Sequence, residues 1–250
     1  MQVVVNDLLI DYARSGSGKS VVLLHGWGER SSSLMSLQKE LDKHFDVIIP
    51  DLPGFGGSQA PPAAWGLDDY SAILGVFLNK IKVGPIYALM GHSNGGAVAM
   101  RGLASGKLSS ERLVLLASAG IRGEYKGRIK AVRYMTKLGK ALSKPLPSGA
   151  KNRLRRRVYQ TVGSDMLVAE HLQATFKKII IDDVRGDAAK LTLPTLLLYG
   201  KNDTQTPVSY GEQFHKLIPG SKLIIFPDSD HFLYLNHTHE VVKSIEEFLK

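Results

Sequence analysis

Six short apolar runs, at residues 21–24, 47–49, 86–90, 113–116, 195–199 and 223–226, are bounded by turn residues, and stretches long enough for helices lie between them. Runs that are apolar throughout, with no polar alternation, suit strands buried on both faces. Strands of that kind alternating with helices leave few architectures open, and the one expected is a mostly parallel sheet with helices on both faces. A leading pair of runs, at 3–5 and 8–12 around Asn6-Asp7, reads as an antiparallel hairpin at the sheet edge. The 250 residues suffice for one large core.

The alternation breaks once. After residue 116 no strand-like run appears until Leu193-Pro194-Thr195, and the gap keeps helical spacing, as in Met166, Ala169, Leu172, Phe176 and Ile180. This predicts a core of residues 1–121 and 186–250 and a helical cap at 122–185. Such a cap would lie over the carboxyl edge of the sheet, where open α/β folds bind ligands. The net charge of +9 is also localised: residues 122–185 hold 16 Lys or Arg against 5 Asp or Glu, which leaves 16 basic and 18 acidic residues elsewhere. Lys151, Arg153, Arg155, Arg156 and Arg157 crowd one stretch of this segment, with Leu154 and Val158 forming an apolar stripe. Three readings stand: the solvated face of a lid helix, a steering field for an anionic substrate, or a contact with an anionic surface. Nucleic acid is not expected, because few aromatics are interleaved and no recognised module is present.

Chemistry concentrates in Gly91-His92-Ser93-Asn94-Gly95, which follows an expected strand and precedes a good helix start. A serine on so sharp a turn needs glycines two residues to either side so that the backbones can pass. A serine hydroxyl becomes a nucleophile only when a base takes its proton and a carboxylate orients that base. Downstream, Asp203 and His231 fall in loops after the expected strands at 195–199 and 223–226, in the order Ser, Asp, His that such an elbow calls for. Asp51 precedes the elbow and opens a Pro/Gly-rich turn, Asp228 and Asp230 lie too close to His231, and Ala117-Ser118-Ala119-Gly120 offers no carboxylate. Ser93, Asp203 and His231 are therefore the expected catalytic residues. His25-Gly26-Trp27-Gly28 follows the run at 21–24, and the backbone N–H groups of Trp27 and Asn94 are the expected oxyanion donors. His25 is expected to shape that loop and not to act as a base. Trp27, Asn94, Tyr134, Phe176 and Phe232 are the expected pocket residues.

With His25-Gly26-Trp27-Gly28, Asp51-Leu52-Pro53-Gly54-Phe55-Gly56-Gly57-Ser58, the elbow, the Asp203 loop with Thr206-Pro207, and Asp230-His231 in this order, the chain resembles the α/β-hydrolase superfamily, in its capped esterase-like branch. The resemblance covers nearly the whole chain and implies the α/β-hydrolase fold. Members of this branch include carboxylesterases, C–C hydrolases of meta-cleavage products, haloperoxidase-like perhydrolases, lactonases and a biotin-pathway methyl esterase. Related dehalogenases and epoxide hydrolases carry Asp where this chain has Ser93. Asn94 departs from the apolar residue or Gln usual at its position and places a polar group beside the nucleophile. The expected function is hydrolysis of small to medium, largely apolar carboxylic esters through an acyl-enzyme. The alternatives are hydrolysis of a C–C bond in a vinylogous keto acid, and ligand sensing by a receptor-like protein of the same fold.

No cofactor is expected. Gly16-Ser17-Gly18-Lys19-Ser20 resembles a phosphate loop, but Ala13 stands where its first glycine is required, and Gln59 stands at the third dinucleotide glycine after Gly54-Phe55-Gly56. His237 and His239 lack a carboxylate cluster at ligand spacing, so no metal is expected. Cysteine is absent, which excludes disulfides and a thiolate nucleophile. Neither an export signal nor an apolar run of ~20 residues is found, and a cytoplasmic location is the expectation.

Overall fold

The computed structural model describes residues 1–122 and 169–250. Eight strands form one sheet: β1 (Gln2–Val5), β2 (Leu8–Ser15), β3 (Ser20–Leu24), β4 (Asp46–Pro50), β5 (Ile86–His92), β6 (Arg112–Leu116), β7 (Thr195–Gly200) and β8 (Lys222–Phe226), in the spatial order β1-β2-β4-β3-β5-β6-β7-β8. β2 is antiparallel to β1 and to β4, and every other pairing is parallel. The edge hairpin turns through Asn6 and Asp7, both in the left-handed region at φ 46° and 63°. That is the type I′ geometry the Asn-Asp pair favours, and it matches the right-handed twist of the strands it joins.

Strand residues alternate between two cores. Val22, Leu24, Ile48, Leu113, Leu115, Leu197 and Tyr199 face one side, where they pack with α2 (Leu67–Lys80), α3 (Asn94–Ala104) and α6 (Val208–Leu217). Val21, Leu23, Val47, Ile49, Val114, Leu116, Leu196 and Leu198 face the other, against α1 (Met35–Leu41) and α8 (Thr238–Leu249). The central strands β3, β4, β5 and β7 are buried along their full length. This is why their sequences show unbroken apolar runs, each such side chain contributing ~1.5–3 kcal/mol on burial. Asp68 and Asp69 in the first turn of α2 complement the partial positive charge of its N-terminus, and Asp69 also accepts the Gly66 N–H at 2.8 Å.

The insertion leaves and re-enters the core at one point. The Val184 N–H donates to the Gly120 carbonyl at 2.7 Å, and the Arg122 N–H donates to the Asp183 carboxylate at 3.3 Å. Arg101 of α3 holds the returning chain, with Nε 2.7 Å from the Asp187 carboxylate. Of the segment expected to be helical, the described part contains α4 (Gln173–Ile179) and α5 (Arg185–Ala188). Met166 and the basic stretch 151–157 lie outside the described residues. A short helix α7 (Leu233–Asn236) precedes α8. No helix among the described residues is long and apolar enough to cross a membrane.

Candidate active site

β5 ends at His92 and α3 begins at Asn94, so the chain reverses within the single residue Ser93. Ser93 is held at φ 50° and ψ −117°, a conformation that is costly for any residue with a side chain. Only glycine fits two residues away on either side. A Cβ on Gly91 would lie 2.4 Å from the Gly96 nitrogen, and one on Gly95 would lie 2.4 Å from the Leu24 carbonyl oxygen. Backbone hydrogen bonds hold the strained residue in place: its N–H donates to Leu116 at 3.0 Å, and its carbonyl accepts from Gly96 at 3.1 Å and Ala119 at 2.9 Å.

Asp203 and His231 meet as the sequence order implies, Nδ1 of the histidine lying 2.8 Å from Oδ2 of the aspartate. Both side chains are buried. Oδ1 of Asp203 accepts the backbone N–H groups of Gln205 at 2.7 Å and Thr206 at 2.9 Å. Burial alone would raise the Asp203 carboxyl, but the hydrogen bond and charge of His231, with the donors of Thr206, outweigh it and hold the group below the ordinary carboxylate range. Asp203 is therefore an anion that accepts the Nδ1 proton of His231 and fixes which face of the imidazole points away from it. The Thr206 hydroxyl, 2.7 Å from Asp203 Oδ2 and 2.8 Å from the Ala117 carbonyl, pins the carboxylate to the end of β6. Thr206 was legible only as part of a motif, and its anchoring role comes from the geometry.

The loop after β3 supplies the facing wall. Glu29 N–H donates to the Gly26 carbonyl at 3.3 Å, which makes Trp27 and Gly28 the central residues of a tight turn, with Gly28 at φ 78°. A Cβ on Gly26 would stand 3.2 Å from that of Ser93, a measure of how closely this loop approaches the serine. The N–H of Asn94 opens α3 and, like every first-turn donor, lacks a partner within its own helix. His25 shapes the loop: its Nε2 accepts the Leu52 N–H at 2.9 Å, so the proton sits on Nδ1 and goes to the Gly26 carbonyl at 2.8 Å. Burial, the largest influence, pushes this imidazole toward the neutral form. Asp51 likewise binds backbone, accepting from Ser31 at 2.5 Å and Gly57 at 2.7 Å.

A cavity of about 280 Å³ opens on Ser93, walled by Trp27, Asn94, Phe176, Ile179 and Tyr210 among others. Trp27 packs against Phe55 at 4.9 Å and Phe176 at 5.0 Å between ring centroids. Tyr134 lies outside the described residues. Phe232 does not line this cavity, although its place next to His231 suggested it would. It packs on the rings of His231 and His92 in the opposite core layer, because the chain turns beneath the sheet into α7 as soon as it leaves His231. Both polar atoms of the Asn94 carboxamide are buried without a hydrogen-bond partner. Glu29, His92 and Tyr234, none of them singled out from the sequence, form a further buried polar group directly below the centre.

A strained serine between a strand and a helix, in one chain with a buried Asp–His pair carried on loops after later strands, is the arrangement shared by one large group of enzymes, and the family model described as "Alpha/beta hydrolase family" matches residues 21–244. The chain belongs to the alpha/beta hydrolase family. This hydrolase is similar, at 26% identity, to an uncharacterized protein of Mycobacterium tuberculosis, over 94% of this chain and 76% of that one. It is 28% identical to a pimeloyl-[acyl-carrier protein] methyl ester esterase of Pseudoalteromonas atlantica, over 93% of this chain and 95% of the relative. Among solved structures, the enol-lactonase from Burkholderia xenovorans LB400 shares the fold of this hydrolase with a TM-score of 0.77 and 20% identity, over 100% of this chain and 99% of that one.

Proposed function

We propose that this hydrolase cleaves carboxylic esters of small to medium, largely apolar acyl groups through an acyl-enzyme on Ser93. The observation that carries the reading is Ser93 itself, held at φ 50° on the wall of an aromatic-lined cavity, in a chain whose Asp203 and His231 form a buried hydrogen-bonded pair. The Ser93 oxygen attacks the ester carbonyl carbon as His231 Nε2 takes the hydroxyl proton. Asp203 stabilises the imidazolium, and the N–H groups of Trp27 and Asn94 hold the oxyanion. Collapse breaks the C–O bond, and His231 returns the proton to the departing alcohol. Water, deprotonated by His231, then releases the acid from Ser93. Similarity to methyl ester esterases supports the ester as the reacting group.

Residues 122–185 form, in this reading, the cap over that cavity. The stitch between Gly120 and Val184 and the position of Phe176 at the cavity wall support it. A second reading, C–C hydrolysis of a vinylogous keto acid, is favoured by the unpartnered carboxamide of Asn94 beside the nucleophile.

The test is steady-state hydrolysis of an aryl ester series of increasing acyl length by wild type and Ser93→Ala, with mass spectrometry after a serine-directed phosphonate. Turnover abolished in the variant, with label on Ser93 of the wild type, is the expected result. Full turnover by Ser93→Ala would overturn the assignment. Dienoate turnover far above that of every ester would favour the second reading, and acyl-enzyme that forms once without turning over would favour a receptor.

A further inference from the structure

One buried acid–histidine pair is not used by the mechanism above. Glu29 and His92 lie beneath the catalytic centre, their side chains 13% and 1% exposed. Oε2 of Glu29 accepts the Gly26 N–H at 2.6 Å and faces His92 Nδ1 at 2.8 Å, while Oε1 accepts the Tyr234 hydroxyl at 2.7 Å. The other nitrogen of His92, Nε2, faces the backbone carbonyl of His231 at 3.0 Å. Both ring nitrogens thus face acceptors, a carboxylate and a carbonyl. Burial would raise the Glu29 carboxyl, yet the hydrogen bond and charge of His92, with the Tyr234 and Gly26 donors, pull it from 4.5 down to about 2.

Three separate chain segments meet at this pair. Gly26 precedes Trp27 of the oxyanion loop, His92 precedes the nucleophile, His231 is the base, and Tyr234 belongs to α7. We propose that Glu29, acting through His92, is a positioning residue: it fixes the oxyanion loop, the elbow and the backbone of the catalytic histidine relative to one another through one buried carboxylate. The proposal rests on the reading of Ser93, His231 and Asp203 as the triad. The carboxylate also acts electrostatically: the rings of His92 and His231 lie 4.7 Å apart between centroids, so the negative charge of Glu29 behind His92 favours the imidazolium that forms on His231 during attack.

The experiment compares the full-length wild type with Glu29→Gln and Glu29→Ala. Glutamine keeps the shape and can still accept from Gly26, but removes the charge. Aryl ester turnover is counted per site titrated by the phosphonate, so that a misfolded fraction drops out, and the His231 Nδ1 proton is followed by NMR on protein labelled with ¹⁵N-histidine. Glu29→Gln is expected to lower kcat roughly 10- to 100-fold with KM changed less than about threefold, and to shift the His231 Nδ1 proton; Glu29→Ala is expected to lose more. Per-site kcat within about twofold of wild type in both variants would overturn the proposal. If the wild type neither turns over esters nor takes the label, the triad reading fails separately. The NMR then decides: an Nδ1 proton of His231 unmoved by Glu29→Gln overturns the positioning role, and a shifted one supports it.

Discussion

Gly95→Ala ought to stabilise α3 if only helix propensity mattered, since alanine is favoured over glycine in a helix by ~1 kcal/mol. The packing of the elbow on β3 reverses the sign. The new methyl would sit 2.4 Å from the Leu24 carbonyl oxygen and 2.7 Å from that of His25, where ordinary contact begins at 3.4 Å. Both neighbours are backbone atoms in or directly after a fully buried strand, so relief requires α3 and β3 to separate by about 1 Å. Overpacking of this kind costs ~1–3 kcal/mol, which more than offsets the gain in propensity at its upper end. The larger effect falls on chemistry. The two donors proposed for the oxyanion lie on opposite sides of this contact, Trp27 after β3 and Asn94 at the start of α3, and a ~1 Å change in their separation is expected to lower kcat ~10²-fold. The assay is urea unfolding together with aryl ester kinetics, with Gly84→Ala as the control, because nothing lies within 4 Å of a Cβ there. A Gly95→Ala protein at least as stable as wild type, with kcat within about twofold, would refute the reasoning.

Asp203→Asn puts an amide NH₂ toward His231 Nδ1 and forces the wrong tautomer, so kcat should fall by ~10⁴ while KM changes little; stopped-flow acylation by an activated ester is the check, and a loss under tenfold would remove Asp203 from its role. The Glu29 carboxyl, held at about 2 against an ordinary 4.5, contributes stability that is complete above pH 4.5 and is lost as pH falls toward 2. At ~1.4 kcal/mol per pH unit that interval is worth about 3 kcal/mol. Unfolding free energies measured from neutral pH down to about pH 3 should therefore fall less steeply for Glu29→Gln than for wild type, and parallel curves would contradict the assignment. Asn94→Leu removes two buried unpartnered groups and should raise stability by ~1–3 kcal/mol, a gain of several degrees in melting temperature; a lower melting temperature would mean that the carboxamide has a partner in the free protein.

The sheet could be read from the sequence because parallel strands covered on both faces need unbroken apolar runs: five of the six runs fall in the buried strands β3 to β7, while the sixth lies in the edge strand β8, where Ile225 is exposed. The edge hairpin was legible for a different reason: Asn6 and Asp7 tolerate the left-handed backbone that the turn requires. At the site, Ser93 announced itself because its strain forces Gly91 and Gly95, a local signal. Phe232 shows where adjacency misleads. A residue next to His231 faces the cavity or the opposite core according to where the chain turns, and that turn is set by α7 packing below the sheet. The Glu29–His92 pair left no local trace, since its members are 63 residues apart and Tyr234 lies 205 residues from Glu29. Only the closed fold brings them together.

The hydrogen bond from Val184 to Gly120 gives this chain a socket. Because the insertion's two ends are fastened to each other at the rim of the sheet, the core meets the same pair of anchor points whatever length of chain runs between them. Lengthening such a segment twofold adds only ~0.6 kcal/mol of closure entropy. If the proposed cap reading holds, exchanging the stretch between the anchors alters substrate range while Ser93, Asp203 and His231, all carried by core loops outside it, keep their places. Engineering this hydrolase then becomes a grafting problem with its cut sites at residues 120 and 184.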